Sequence, residues 1–299
     1  AASSTRDDDL RPAHDQHAAS THAAPMDEAT PADVVSIVAE LARPLAASGF
    51  DLVAPLQASW YNEEPHIAEL PAAHKLPARR ADQLALLVAN TRALWKPFCR
   101  WAKARGAEYL EAHADDALDT YAAEVITAAL QEVNQARRIA QVRELEALDV
   151  AYAHETLETH GRAISVTTCA HVAGLAHYNA EQQRSVHFTY GPWIAYRAII
   201  LLDRRCPALP PPPPPRDPCT AAEWARVSKL QSECFAKWDD TDEPTNWKRL
   251  VDIVHAFDAG KQFAYTDEQV AFHYQHDAKA RARHLAKCAE ATEEQTTAE

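Results

Sequence analysis

Glycine is scarce in this chain, with six in 299 residues. They stand too far apart to build Gly-x-Gly-x-x-Gly, a Gly-x-x-x-x-Gly-Lys phosphate loop or a Gly-x-Ser-x-Gly elbow, which excludes nucleotide-loop enzymes and elbow-type serine hydrolases. The cysteines (Cys99, Cys169, Cys206, Cys219, Cys234 and Cys288) include no Cys-x-x-Cys pair, so neither a zinc ribbon nor a dithiol redox motif is written, and reduced thiols in the cytosol follow. His273 and His276 are three apart and His171 and His177 six apart, but neither pair has a cysteine or a His-Glu-x-x-His frame beside it, so no protein-held metal is expected. No apolar run approaches the ~20 residues of a membrane span, the longest being broken by Arg197, and a soluble, cytoplasmic protein is expected. Basic clusters are also absent. With a net charge of -13, nucleic acid and anionic membrane surfaces are poor partners. Methionine occurs once, at Met26, which leaves open a native start there or a truncation upstream of Ala1.

What is present suits an ordinary globular protein: 47% hydrophobic and 24% charged residues exclude disorder throughout. Residues 1–32 lack apolar periodicity and an apolar leader core, and are expected to be disordered. A single domain is expected over 33–288, with a disordered tail over 289–299. Val34, Ile37, Leu41 and Leu45 stand at helical spacing behind Asp33 as cap, although Pro44 weakens the last turn. Phe50 to Asn62 reads as two extended segments, Pro65 to Arg80 as a proline-punctuated loop, and Gln83 to Val88 as a short buried strand. A helix opens at Trp95, and Asp119 to Leu145 carries the longest helical pattern, with Val125, Ile126, Leu130 and Val133 on one side. Asp149 to Glu155 alternates as a strand. Helices are expected over 220–238, 245–257 and 267–288. Pro210 to Pro215, within a surface loop over 207–218, would make a rod of about 19 Å, read as a stiff spacer before a docking site.

The stretch from Thr167 to Leu202 is the least generic. Its first run, 168–178, reads as a helix with His171, Gly174 and Tyr178 at i, i+3 and i+7, which would share a face. A glycine there would admit a flat, bulky ligand to the backbone. Its second run, 191–202, reads as a strand in which Arg197 interrupts apolar residues and calls for an anionic partner. These two runs, Ala170-His-Val-Ala-Gly-Leu-Ala-His-Tyr178 and Gly191-Pro-Trp-Ile-Ala-Tyr-Arg197, closely resemble the cobalamin-processing family known as CblC or MMACHC. Further echoes are Gln57-Ala-Ser-Trp-Tyr-Asn-Glu63, Trp95-Lys-Pro-Phe98 and Tyr265-Thr-Asp-Glu-Gln-Val-Ala-Phe272, so the resemblance spans about residues 35–285.

The resemblance implies an α+β fold of the flavin-reductase or nitroreductase kind, an antiparallel sheet flanked by helices. It also implies an enzyme that binds base-off cobalamin and removes its upper ligand, as a cyanocobalamin reductase and an alkylcobalamin dealkylase. Reduced flavin, FMN or FAD, would supply electrons for decyanation, and glutathione would take the alkyl group. His171, Gly174, Tyr178, Trp193 and Tyr196 would line the corrin pocket. Arg197 matches the first glutathione-binding arginine; the second falls at Lys248 or Arg249 and the third at Arg281 or Arg283. No catalytic residue is singled out, and the cobalt would be carried by cobalamin rather than by the protein. A downstream cobalamin-trafficking protein and a ligand-induced homodimer are the implied partners. Two other readings stay open: a non-catalytic cobalamin carrier, and a flavin-dependent reductase of the same fold acting on another acceptor.

Overall fold

Gln83–Asn90 is buried at every residue, as the central strand of a sheet covered on both faces must be. The computed structural model describes residues 27–113, 115–239, 242–274 and 280–285. In chain order the first elements are β1 (Asp27–Glu28), α1 (Pro31–Ala47), β2 (Leu52–Gln57), α2 (Ala58–Asn62), α3 (Pro65–Ala68) and β3 (Gln83–Asn90). Helices α4 (Trp95–Arg105), α5 (Ala107–His113) and α6 (Ala117–Ile139) lead to β4 (Ala147–Tyr152), α7 (Leu157–His160) and α8 (Val166–Val172). A small hairpin, β5 (His177–Asn179) and β6 (Arg184–Val186), precedes the long β7 (Ala195–Arg205). The chain closes with α9 (Ala221–Ala236), α10 (Glu243–His255) and α11 (Asp267–Tyr274).

The main sheet runs β2-β3-β7 antiparallel, and β4, also antiparallel, pairs with β7 together with the parallel β1. Alternation along the strands divides the core in two. Leu84, Leu86, Val88, Ala198, Ile200 and Leu202 meet α1, α4 and α6 in one apolar cluster, which holds Leu41, Phe98 and Ile126. Ala85, Leu87, Ala89, Ile199 and Leu201 belong to the other, with Ala58 and Tyr61 of α2 and Cys169 and Ala170 of α8. The expected α+β architecture is therefore present, an antiparallel sheet between helical layers with one parallel edge strand. Among the described residues no helix is long and apolar enough to cross a membrane, and Cys169, Cys206, Cys219 and Cys234 are free thiols.

Several local expectations are corrected. Order extends back to Asp27, because β1 pairs with Arg204 and Arg205; residues 1–26 and the tail from 286 lie outside the described residues. The cap of α1 is Thr30, not Asp33. The two form a reciprocal capping box, with Thr30 N donating to Asp33 Oδ2 at 2.9 Å and Asp33 N to Thr30 Oγ1 at 3.2 Å. Pro44 does not end the helix, which continues to Ala47. The second extended segment before Asn62 is helical, and the loop over 65–80 contains α3 and a 3-10 turn at Ala72–His74.

Two glycines lock the C-terminal third to the sheet. Gly191 and Gly260 have φ of +59° and +73°, and the backbones they carry abut. A methyl at Gly260 would lie 2.2 Å from the Tyr190 carbonyl carbon, and one at Gly191 2.0 Å from Ala259 O. Backbone cannot yield as a side chain tip would, and the positive φ adds strain. Gly260→Ala is therefore expected to lower unfolding free energy by about 3 kcal/mol or more, read as a reduced urea midpoint at unchanged slope.

Candidate functional site

Helix α8 starts on a built cap, Ser165, whose hydroxyl accepts from Thr168 N at 3.3 Å. It ends sooner than expected: the chain leaves the helix after Val172 and turns through Gly174 at φ +74°. His171 and Tyr178 therefore do not share a helical face. Tyr178 stands on β5, and they meet instead through a turn in which Tyr178 N donates to His171 Nδ1 at 3.2 Å. With Nδ1 accepting, the proton of the neutral imidazole sits on Nε2. Burial, and then the neighbouring His177, hold His171 below the usual histidine range, so it is neutral at pH 7. The Tyr178 ring stacks on His66 at 6.4 Å, and His66 Nε2 lies 3.0 Å from Thr168 Oγ1.

His171 and Val172 open onto a cavity of about 340 Å³, walled on one side by Ser59, Trp60, Glu63 and Glu64 and on the other by Pro211, Pro212 and Pro214. The notch left by Gly174 is filled within the chain itself, since a methyl there would come within 2.9 Å of Pro212 Cβ. The expectation that Gly174 admits a flat ligand gives way to a different role: it lets the proline tract lie down beside His171. A second cavity, about 430 Å³ between α1 and α6, is lined by Ala39, Val133 and Val142 and touches none of the candidate site residues.

Arg197 owes its position to a β-bulge. Val88 pairs with Ala198 and Ala89 with Tyr196, so Arg197 is the extra residue, and the strand's alternation changes phase there. The bulge puts Tyr196 on the α8 side of the sheet, where its hydroxyl lies 2.6 Å from Ser185 Oγ and burial pushes its pKa up. The guanidinium of Arg197 donates from Nε to Asn90 Oδ1 at 2.6 Å. Among the described residues its Nη2 is buried with no partner. The same holds for Trp193 Nε1, Tyr265 OH, His273 Nε2 and both side-chain polar atoms of Gln269.

Trp193, Arg197, Tyr265 and His273 lie together in one buried cluster. Trp193 meets Tyr265 edge-on at 5.5 Å, and Tyr265 meets His273 at 5.3 Å. Burial lowers the pKa of Arg197 and raises that of Tyr265. Burial, reinforced by the charges of Arg197 and Arg281, pushes His273 down to about 3. A buried polar atom without a partner costs about 1–3 kcal/mol. A guanidinium Nη2 with unpartnered Trp193 Nε1 and Tyr265 OH in the same cluster offers donors to an anionic, acceptor-rich group.

The residues expected to form one site thus fall into two places. His171, Gly174 and Tyr178 edge the groove. Trp193, 2% exposed, packs edge-on against His255 and Tyr265, and Tyr196 lies buried under α8. Of the cationic candidates, Arg281 is brought toward His273, pairs with Asp115 at 3.1 Å and lies over the Phe272 ring at 6.0 Å. Arg249 instead ties α10 to the end of α9 by donating to Lys237 O, while Lys248 and Arg283 are exposed. The expectation of a second anion-binding cation at 248 or 249 finds no support in this packing. Asn90, Gln269 and His273 were not legible as site residues. Asn90 alone had a signal, a polar residue ending an apolar strand, as Arg197 interrupts another.

Comparison with known proteins bears on the whole chain. A Danio rerio protein named cyanocobalamin reductase / alkylcobalamin dealkylase is 28% identical over 242 residues, covering 75% of this chain and 82% of that protein. The crystal structure of a C. elegans B12-trafficking protein, CblC, described as a homologue of human MMACHC, superposes with a TM-score of 0.62 at 18% identity. It covers 86% of this chain and 97% of its own. The profile of the methylmalonic aciduria and homocystinuria type C family, MMACHC, matches residues 49–279, and the chain belongs to that family.

Proposed function

We propose that this protein is a cobalamin-processing enzyme that binds base-off cobalamin and removes the upper axial ligand, reductively for cyanide and by transfer to glutathione for alkyl groups. The observation that carries the reading is the buried Nη2 of Arg197, unpartnered among the described residues, with unpartnered Trp193 Nε1 and Tyr265 OH in the same cluster. Glutathione brings two carboxylates, and an arginine fork meets a carboxylate with two parallel charge-assisted bonds. Arg197, with Tyr265 beside it and Arg281 beyond His273, would hold that end of the thiol. The His171 groove suits the edge of a corrin, an apolar ring fringed with amides. Trp60 and Val172 offer apolar surface, and Ser59, Glu63 and Glu64 offer hydrogen-bonding groups.

In dealkylation the glutathione thiol loses its proton, its sulfur bonds to the alkyl carbon, and the cobalt–carbon electron pair stays on cobalt as Co(I). The protein's part is to hold the thiol in line and exclude water. Reduced flavin, FMN or FAD, would supply the electrons of decyanation; no residue is assigned to it, and the flavin-reductase-like or nitroreductase-like character of the fold belongs to the same reading. Cytoplasmic location, hand-over to a trafficking protein and ligand-induced dimerisation are further parts of it.

Titrating methylcobalamin with the protein is expected to shift the absorption spectrum to the base-off form, and adding glutathione to yield S-methylglutathione. An unchanged spectrum at saturating protein would sink the reading, whereas a spectral shift without thioether would leave a carrier. Binding of flavin without cobalamin would point to a reductase with another acceptor.

A further inference from the structure

Between β7 and α9 the chain runs from Cys206 to Thr220 without helix or strand, and residues 210–215 are all proline. Proline fixes φ near −65° and has no N–H, so an unbroken run takes one form, a left-handed rod with three residues per turn. Every third residue then returns to the same ridge. Burial follows this period: Leu209, Pro212 and Pro215 are partly covered, whereas Pro210, Pro211, Pro213, Pro214 and Arg216 are exposed. The rod is pinned at both ends. Gln57 Nε2 donates to Cys206 O at 2.8 Å and Leu209 O at 3.0 Å. Asp217 accepts from Trp224 Nε1 at 2.7 Å and faces His177 at 3.6 Å. One ridge is committed to the body, with Pro212 in the Gly174 notch. The other two are open.

We propose that the open side of this rod is a docking surface for a polyproline-reading module with an aromatic groove and an acidic rim. Such modules seat two successive residue pairs of a proline rod between aromatic side chains, leave the intervening residue pointing away, and meet a basic residue beyond the second pair with carboxylates. The register here matches. Pro210–Pro211 and Pro213–Pro214 are the outward pairs, Pro212 and Pro215 are turned to the body, and Arg216 follows in the open. Arg216 makes no hydrogen bond or ion pair among the described residues, in a chain whose net charge is -13. It is the charge that an acidic rim would complement. A rod already held straight and tied at both ends loses little conformational entropy on docking. The proposal does not depend on the cobalamin reading, although Pro211 and Pro214 also edge the His171 groove, so a docked module would sit at its mouth.

The test uses the full chain and, as probe, a purified SH3 domain that reads Pro-x-x-Pro-x-Arg ligands, followed by chemical-shift titration of the domain. Saturable binding below about 1 mM is expected. Arg216→Glu, an exposed substitution that leaves folding intact, should weaken it at least about tenfold, as should Pro211→Ala with Pro214→Ala. Pro212→Ala, which alters only the ridge facing the body, should change affinity less than about twofold. Absence of saturable binding would overturn the proposal, and so would loss with Pro212→Ala equal to that with the outward pair.

Discussion

Arg197→Ala is expected to cut glutathione-dependent dealkylation by about 100-fold or more while changing cobalamin affinity less than about threefold. Each charge-assisted hydrogen bond contributes about 1.5–3 kcal/mol, so losing a two-bond fork costs several kcal/mol, and every 1.4 kcal/mol is a factor of ten. Truncation also leaves Asn90 Oδ1 without the 2.6 Å bond it accepts, so some stability is lost along with the fork. Arg197→Lys separates these effects, since it keeps a charge in the cluster but cannot make the bidentate contact. It should recover folding and only a small part of the rate. Initial rates of S-methylglutathione formation against glutathione concentration, with base-off spectra in parallel, give the measurement. Equal loss of cobalamin binding and dealkylation would assign Arg197 to the core.

Acidification is the second large effect. His273 titrates near its ordinary value of about 6.5 when unfolded, but burial pushes it down to about 3 in the folded protein. Between those values the unfolded chain binds a proton that the native one does not. The stability that neutral His273 allows is complete above about pH 6.5 and falls as pH drops toward 3, by up to about 1.4 kcal/mol per unit. Two units therefore remove about 3 kcal/mol, a large part of the ~5–15 kcal/mol typical of a domain. His171 and His187, whose pKa values are also held down by burial, act in the same direction. Urea unfolding between pH 7.5 and 4.5 should show the decline, and His273→Phe, which keeps the ring against Tyr265 and Phe272, should flatten it. Identical slopes for wild type and variant would refute His273 as the source.

The comparison of sequence with structure is instructive where it fails. Gln83 to Val88 and Ala198 to Leu202 could be read as buried strands because nearly every side chain is apolar, and the alternate faces they present account for the two halves of the core. Arg197 stood out for the same reason, as a charge in an oily run. Its bulge was invisible, because an extra residue changes register without changing residue type, and with it went the true placement of Tyr196. The 171–178 face failed on one residue: Gly174 was read as a gap in a helix, whereas its positive φ ends the helix and hands Tyr178 to a strand. Thr30 was passed over as a cap because Asp33, three residues on, carries an equally good oxygen, and only the reciprocal bonds decide between them. Trp193 is far in sequence from Tyr265 and His273, and no local pattern could have joined it to them.

The back-to-back contact of Gly191 with Gly260 sets an order of events on the ribosome. The strip that surrounds His171 is encoded before Thr220, so all of its walls have emerged while α10 and α11 are still being made. The cluster around Arg197 is incomplete until Tyr265 and His273 follow and the two glycine backbones seat against each other. A nascent chain therefore completes the groove at His171 well before it completes the cluster around Arg197.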